Sequence, residues 1–122
     1  MKYLMLINSD AIAREQWLKM SPEEAERPRA AELPKWNELF EWLGEQGLEA
    51  EGFELEDIEK ARVISGQNGR RVVSDGPFAE TKEVLGGYFL VDCKDLDQAI
   101  EIAERVPVVS RGSVEIRPLV MT

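Results

Sequence analysis

The sequence predicts an α+β fold of the ferredoxin-like type, a βαβ-βαβ plait carrying an inserted β-hairpin, spanning residues 1–122 as one domain. Three observations predict it. Apolar runs at Tyr3 to Ile7 and at Gly87 to Cys93 read as strands buried on both faces. Two amphipathic helical patterns fall between strands. An Asn-Gly pair sits between two β-like runs in the middle of the chain.

Tyr3 to Ile7 (Tyr-Leu-Met-Leu-Ile) gives the first strand. Ser21-Pro22-Glu23-Glu24 then reads as a helix start, with serine as the cap, proline suited to the first helical position and Glu24 placed to complete a capping box. Pro28 and Pro34 each remove a backbone donor, so the segment from Pro22 to Gln46 is expected to kink or to break into two pieces. Beyond Pro34 the stripe is clean, with Trp36, Leu39, Phe40 and Leu43 at helical spacing, and Gly47 is placed to cap the end. Trp17, Trp36 and Trp42 all fall in helical segments.

Leu48 to Leu55 supplies a further strand. Ala61 to Ser65 and Arg70 to Ser74 flank Gly66-Gln67-Asn68-Gly69 as a hairpin, because Asn-Gly tolerates the positive φ angles that a tight primed turn needs. After the central strand, Asp95 caps a second helix with Gln98 completing its capping box. Leu96, Ala99, Ile100 and Ala103 form the expected buried stripe, and Pro107 ends the helix. Ser113 to Val120 closes the chain as a strand in which Val114 and Ile116 alternate with Glu115 and Arg117.

Two amphipathic helices cover one face of such a sheet, yet its best strands are apolar on both. A second copy packing sheet to sheet would cover the other face with two-fold symmetry, so a homodimer is expected.

Composition narrows the function classes. Fifteen Lys and Arg against twenty-four Asp and Glu leave a net charge of −9, which repels phosphate backbones and anionic lipid surfaces; neither nucleic acid nor a membrane is an expected partner. No apolar run reaches the ~20 residues of a membrane span. Cys93 is the only cysteine and histidine is absent, so no intramolecular disulfide and no Cys/His zinc cage can form. A reducing, cytoplasmic setting is expected. No Gly-x-Gly-x-x-Gly motif occurs, Gly86-Gly87 is too short to cradle a phosphate, and no cofactor is called for.

The most distinctive stretch is Val73-Ser74-Asp75-Gly76-Pro77-Phe78-Ala79-Glu80-Thr81-Lys82-Glu83, followed by Leu85-Gly86-Gly87-Tyr88. It resembles the DGPF signature of the YCII-related family, and the likeness extends to Met1 to Ile7, the Asp95 to Pro107 helix and Gly112 to Leu119. The resemblance implies a dimeric α/β barrel of ferredoxin-like subunits. It also implies gene neighbourhoods with extracytoplasmic-function sigma factors, and a suspected enzymatic role through an Asp/His pair. This chain has no histidine, so only the aspartate half of that pair carries over, to Asp75.

Read on its own chemistry, Asp75 lacks the usual aspartate partner, the backbone N–H two residues on, because that residue is Pro77. Its carboxylate is left for Phe78 N–H, a more distant donor or a ligand. Two readings stand: a tight turn that ends a strand, with Phe78 plugging the core, or a pocket in which Asp75 acts as acid/base or orienting group. Lys82 can place a cation beside it. Glu115 and Arg117 share one strand face, either as a surface ion pair or, if that face lines a barrel interior, with Arg117 as a bidentate anchor for a carboxylate or phosphate. Tyr88 carries a hydroxyl that needs a partner where buried. Cys93 reads as a small hydrophobe, because no histidine activates it and Asp92 and Asp95 disfavour a thiolate.

Three classes of function follow: a small-molecule enzyme built on Asp75, a binding module for a small polar or anionic ligand held by Arg117, Lys82, Tyr88 and Glu115, or a non-catalytic regulatory protein of a sigma-factor system. Fold alone does not choose among them.

Overall fold

The structure, a computed structural model, describes residues 1–74, 83–110 and 112–120, with only the backbone described at 11, 12, 67, 109 and 110. The chain opens with strand β1 (Lys2–Asp10), longer than its apolar run suggests. Tyr3 and Met5 point into the core, and Leu4 and Leu6 lie half-buried on the opposite face. Asp10 turns the strand into a helix: its carboxylate accepts the Ala13 N–H at 3.4 Å and starts α1 (Ala11–Lys19).

Helix α2 (Pro22–Glu45) begins as expected, with the Ser21 hydroxyl accepting the Glu24 N–H at 3.1 Å. It then runs as one helix through Pro28 and Pro34, so the expected division into two pieces does not occur. The carbonyls that these prolines leave without a helical donor belong to Glu24 and Ala30, and both residues are exposed, so solvent is within reach of the unpaired groups. At the C-terminus Gly47 takes φ 71°, its N–H bonds the Gly44 carbonyl at 3.0 Å, and the Leu48 N–H bonds the Leu43 carbonyl at 2.9 Å. That pair of bonds is a Schellman cap.

Strand β2 (Ala50–Glu54) leads through a short 3₁₀ turn (Ile58–Lys60) into β3 (Val63–Gln67) and β4 (Arg70–Ser74). Asn68 and Gly69 both take positive φ, 51° and 76°, which is the primed turn that the Asn-Gly pair predicts. These two strands form a sheet of their own, whereas β2, β1, β5 (Glu83–Asp92) and β6 (Gly112–Pro118) form a second sheet in the order β2-β5-β1-β6. Every neighbouring pair in it is antiparallel. This mixed α+β arrangement is consistent with the ferredoxin-like class.

Helix α3 (Leu96–Glu104) is capped by Asp95, which accepts the Gln98 N–H at 2.9 Å, and the Gln98 side chain reaches back to the Lys94 N–H at 2.7 Å. Its buried stripe differs from the expected one. Ala99, Ile102 and Ala103 are buried, continuing to Val106, while Leu96 and Ile100 are 51% and 39% exposed. Both sets satisfy helical spacing and share Ala99 and Ala103, and the sheet selects the side that carries Ile102 and Val106.

The core lies between the sheet and the helices, with Tyr3, Met5, Phe89 and Val91 packed against Leu39, Leu43 and Ile102. Alternation sends the intervening residues to the other face. Register there aligns Phe53, Tyr88, Leu6 and Glu115 in one row, and Glu51, Leu90, Leu4 and Arg117 in the next. Among the described residues no helix covers this second face.

Candidate functional site

At the end of the sheet where β1 gives way to α1, three features hold α2 and the sheet apart. The register of β1 on β5 slips between Ile7 and Asn8, leaving Gly86 with no partner in β1. Gly52, Gly86 and Gly87 contribute no side chains there. Helix α2 turns Leu33 and Phe40 toward the gap, where both stay exposed despite their apolar character. The result is a cavity of about 830 Å³, within the size range of small-molecule sites. Trp36, Phe40 and Leu33 of α2, Trp17 of α1, and Ile7 and Phe89 of the sheet supply its apolar walls. The Phe40 ring stacks on Trp36 at 6.2 Å and meets Phe89 edge-on at 6.1 Å.

Polar groups gather on one side of the cavity. The Arg14 side chain, only 14% exposed, donates from Nη1 to Glu54 Oε2 at 3.0 Å, and from Nη2 to the carbonyls of Leu55 and Gly86 at 2.6 and 3.2 Å. It thereby ties α1 to the end of β2 and to the β5 bulge. Glycine at position 86 makes room for it, since a Cβ there would stand 3.2 Å from Arg14 Nε. Glu54 also lies 3.8 Å from Arg29, whose guanidinium sits over the Trp17 ring at 4.9 Å from its centroid. The Trp36 indole N–H donates to Glu32 at 3.1 Å, so this aromatic wall is fixed in orientation. Chemically, the cavity can hold an apolar or aromatic body with a polar head at the Arg29–Glu54 end. Among the described residues no group of acidic or cysteine side chains has the arrangement of a metal site.

The residues that the sequence marked as candidates distribute unevenly around this cavity. Asp75, Gly76, Pro77, Phe78 and Lys82 lie outside the described residues. The described chain resumes at Glu83, in register with Asp10, which lines the cavity. Tyr88 is among the lining residues, while alternation turns its ring to the uncovered face, 6.4 Å from Phe53. Glu115 and Arg117 do share a face, as period-2 geometry requires, but it is the uncovered one, opposite Leu6 and Leu4, and neither lines the cavity. Cys93 is buried at the far end of β5; its thiol donates to the Asp95 carbonyl at 3.6 Å, and burial pushes its pKa up, against the smaller opposing pull of the N-terminal ammonium and of that hydrogen bond.

Arg14, Arg29 and Glu54 escaped the sequence reading. Their partners are up to 72 residues away in the chain and share no local motif. The paired glycines 86 and 87 were the nearest signal: they mark a bulge and a close approach, which glycine in a strand often does.

A family model for the YCII-related domain matches residues 1–121. An uncharacterized protein of Rhizobium meliloti (strain 1021) is 35% identical over 123 residues, covering 99% of this chain and 94% of that protein.

Proposed function

The chain belongs to the YCII-related family, and from that premise we propose that it binds a small amphipathic molecule in the cavity between α1, α2 and the sheet. The cavity itself carries this reading: about 830 Å³ of space walled by aromatic side chains, with charged groups gathered at one end. A folded core fills such space with its own side chains unless something else occupies it. Trp36, Phe40 and Leu33 would hold the apolar body of the ligand, and Arg29 with Glu54 its polar head.

In this proposal the subunit is a ferredoxin-like plait of the DGPF subgroup, and two copies close a dimeric α/β barrel over the uncovered face. Leu4, Leu6, Tyr88 and Leu90 support it, because they form an apolar surface that no helix covers among the described residues. In that barrel Arg117 and Glu115 rim the interior and can anchor a carboxylate or an ammonium group. Asp75 serves as the acid/base or orienting group and Lys82 as a neighbouring cation, on the sequence argument from Pro77.

The test is to incubate the purified protein with a small-molecule extract, identify retained compounds by native mass spectrometry and crystallise the complex. Ligand density against Trp36 and Phe40 is the expected result. Retention of no compound, or density only outside the cavity, would remove the proposal and leave the regulatory role alongside a sigma factor as the better reading.

A further inference from the structure

Charge along this chain is segregated. Residues 36–59 contain nine acidic side chains and no lysine or arginine, whereas residues 60–74 contain Lys60, Arg62, Arg70 and Arg71 and no acidic residue. The acidic block comprises the second half of α2, strand β2 and the turn beyond it; the basic block is the β3–β4 hairpin and its entry. Some of these charges are satisfied within the chain: Lys60 pairs with Glu56 at 3.2 Å, Glu59 lies 3.9 Å from Lys19, and Glu54 meets Arg14 and Arg29. Among the described residues Arg70 and Arg71, next to the hairpin turn, form no ion pair, and neither do Glu49 and Glu51 beside and within β2. All four are exposed.

The hairpin is also uncovered. It forms a two-stranded sheet apart from the main one, and its cross-strand neighbours Ile64 and Val73 are 68% and 63% exposed. A two-stranded hairpin is marginal in water by itself and gains stability when an apolar side is packed. Strand β2 is in turn an edge of the main sheet, with one row of backbone groups unpaired in the ladder, and Glu51 points from it to the same face as Leu4 and Leu90.

We propose that the β3–β4 hairpin is an arm that grips the acidic β2 margin of a second copy of this chain. Arg70 and Arg71 would meet Glu49 and Glu51, and Ile64 and Val73 would pack at the edge of the uncovered sheet face. This rests on the reading that a second copy covers that face, and it adds where the rim of the interface lies. Charge complementarity selects the occupant: Arg70 and Arg71 on the hairpin are matched by Glu49 and Glu51 on an identical molecule, and two-fold symmetry makes the contact twice.

Sedimentation equilibrium of the full chain tests it with two charge-reversed variants, Arg70→Glu/Arg71→Glu and Glu49→Arg/Glu51→Arg, and with Leu6→Arg on the sheet face. Each charge-reversed variant alone should weaken self-association about tenfold, because like charges then face each other at both contacts. An equimolar mixture of the two should restore wild-type affinity through a heterodimer whose arms and margins are again complementary. Unchanged association in both variants overturns the arm, and so does weakening that the mixture fails to restore. If Leu6→Arg alone separates the copies, the sheet-face reading survives without the arm. A wild-type protein that stays monomeric overturns both, whereas an arm that binds duplex DNA while self-association is indifferent to its charge overturns the arm alone.

Discussion

Arg14 and Glu54, forty residues apart in the chain, meet with Nη1 3.0 Å from Oε2, and the same guanidinium caps the carbonyls of Leu55 and Gly86. One side chain thus joins α1, the end of β2 and the β5 bulge, the three elements that frame the polar end of the cavity. Arg14→Met removes the donors and keeps much of the apolar stem. We expect a loss of about 2–3 kcal/mol, because a buried charged donor leaves its acceptors unsatisfied. That corresponds to a fall in melting temperature of about 4 °C per kcal/mol in a domain of this size. Arg14→Lys should recover part of it, since an ammonium reaches fewer acceptors than the planar fork. Thermal unfolding of both variants measures the difference.

Gly52 explains how β2 can approach β5 so closely. A Cβ built there would lie 2.0 Å from the Tyr88 carbonyl oxygen and 2.5 Å from the Phe89 Cα, both backbone atoms that cannot move without opening the ladder. Gly52→Ala should therefore cost more than the ~1 kcal/mol of an ordinary strand substitution and detach the edge strand. Hydrogen exchange at Ala50 to Glu54 reports the detachment: these amides should lose protection in the variant while those of β1 keep theirs.

Cys93 gives a dependence on pH with a definite sign. Burial raises its thiol above the ordinary value of 9.0, so the unfolded chain releases this proton before the folded one does. The corresponding stability is full below about pH 9 and is lost as the pH rises through that region. Urea midpoints measured at about pH 7 and about pH 10 should fall more for the wild type than for Cys93→Ala. Alkylation of the native thiol should be slow at neutral pH and become fast on unfolding.

The uncovered sheet face makes a further prediction. Leu6 sits in the middle of its row, flanked in register by Tyr88 and Glu115. Leu6→Arg places a charge at the centre of the proposed contact between copies, where it would be desolvated. Light scattering coupled to size exclusion should show the wild type at twice the 13.8 kDa chain mass and the variant at that mass. A wild-type monomer would remove the barrel.

The parts of the structure that were legible in the sequence are those specified by near neighbours. Asn68-Gly69 fixed the hairpin turn, Ser21 and Gly47 fixed the ends of α2, and Asp95 with Gln98 fixed the start of α3, because each motif satisfies backbone groups within a few residues of itself. Helix α1 was visible only through Trp17, since its nine residues, Ala-Ile-Ala-Arg-Glu-Gln-Trp-Leu-Lys, carry no continuous apolar stripe. The stripe of α3 was rotated: Leu96 and Ile100 fit helical spacing as well as Ile102 does, and only the sheet beneath the helix decides between them. The cavity was not legible at all. It arises from a bulge opposite Ile7 and Asn8, from glycines on two strands and from an arginine whose acceptors lie in distant segments. The DGPF signature, the strongest motif in the chain, falls mostly outside the described residues, so Asp75 and Lys82 stay with the chemistry that first marked them.

The cavity's capacity to hold an apolar ligand is the central claim, and fluorescence titration with N-phenyl-1-naphthylamine tests it most directly. This neutral aromatic probe brightens in apolar surroundings and accepts excitation energy from tryptophan, and both Trp17 and Trp36 line the cavity. The wild type should bind one probe per chain with energy transfer from tryptophan. Ala30→Trp, which places a large ring among the lining residues, should abolish binding while leaving the circular dichroism spectrum unchanged. No binding by the folded wild type, or binding that Ala30→Trp leaves intact, would contradict the claim.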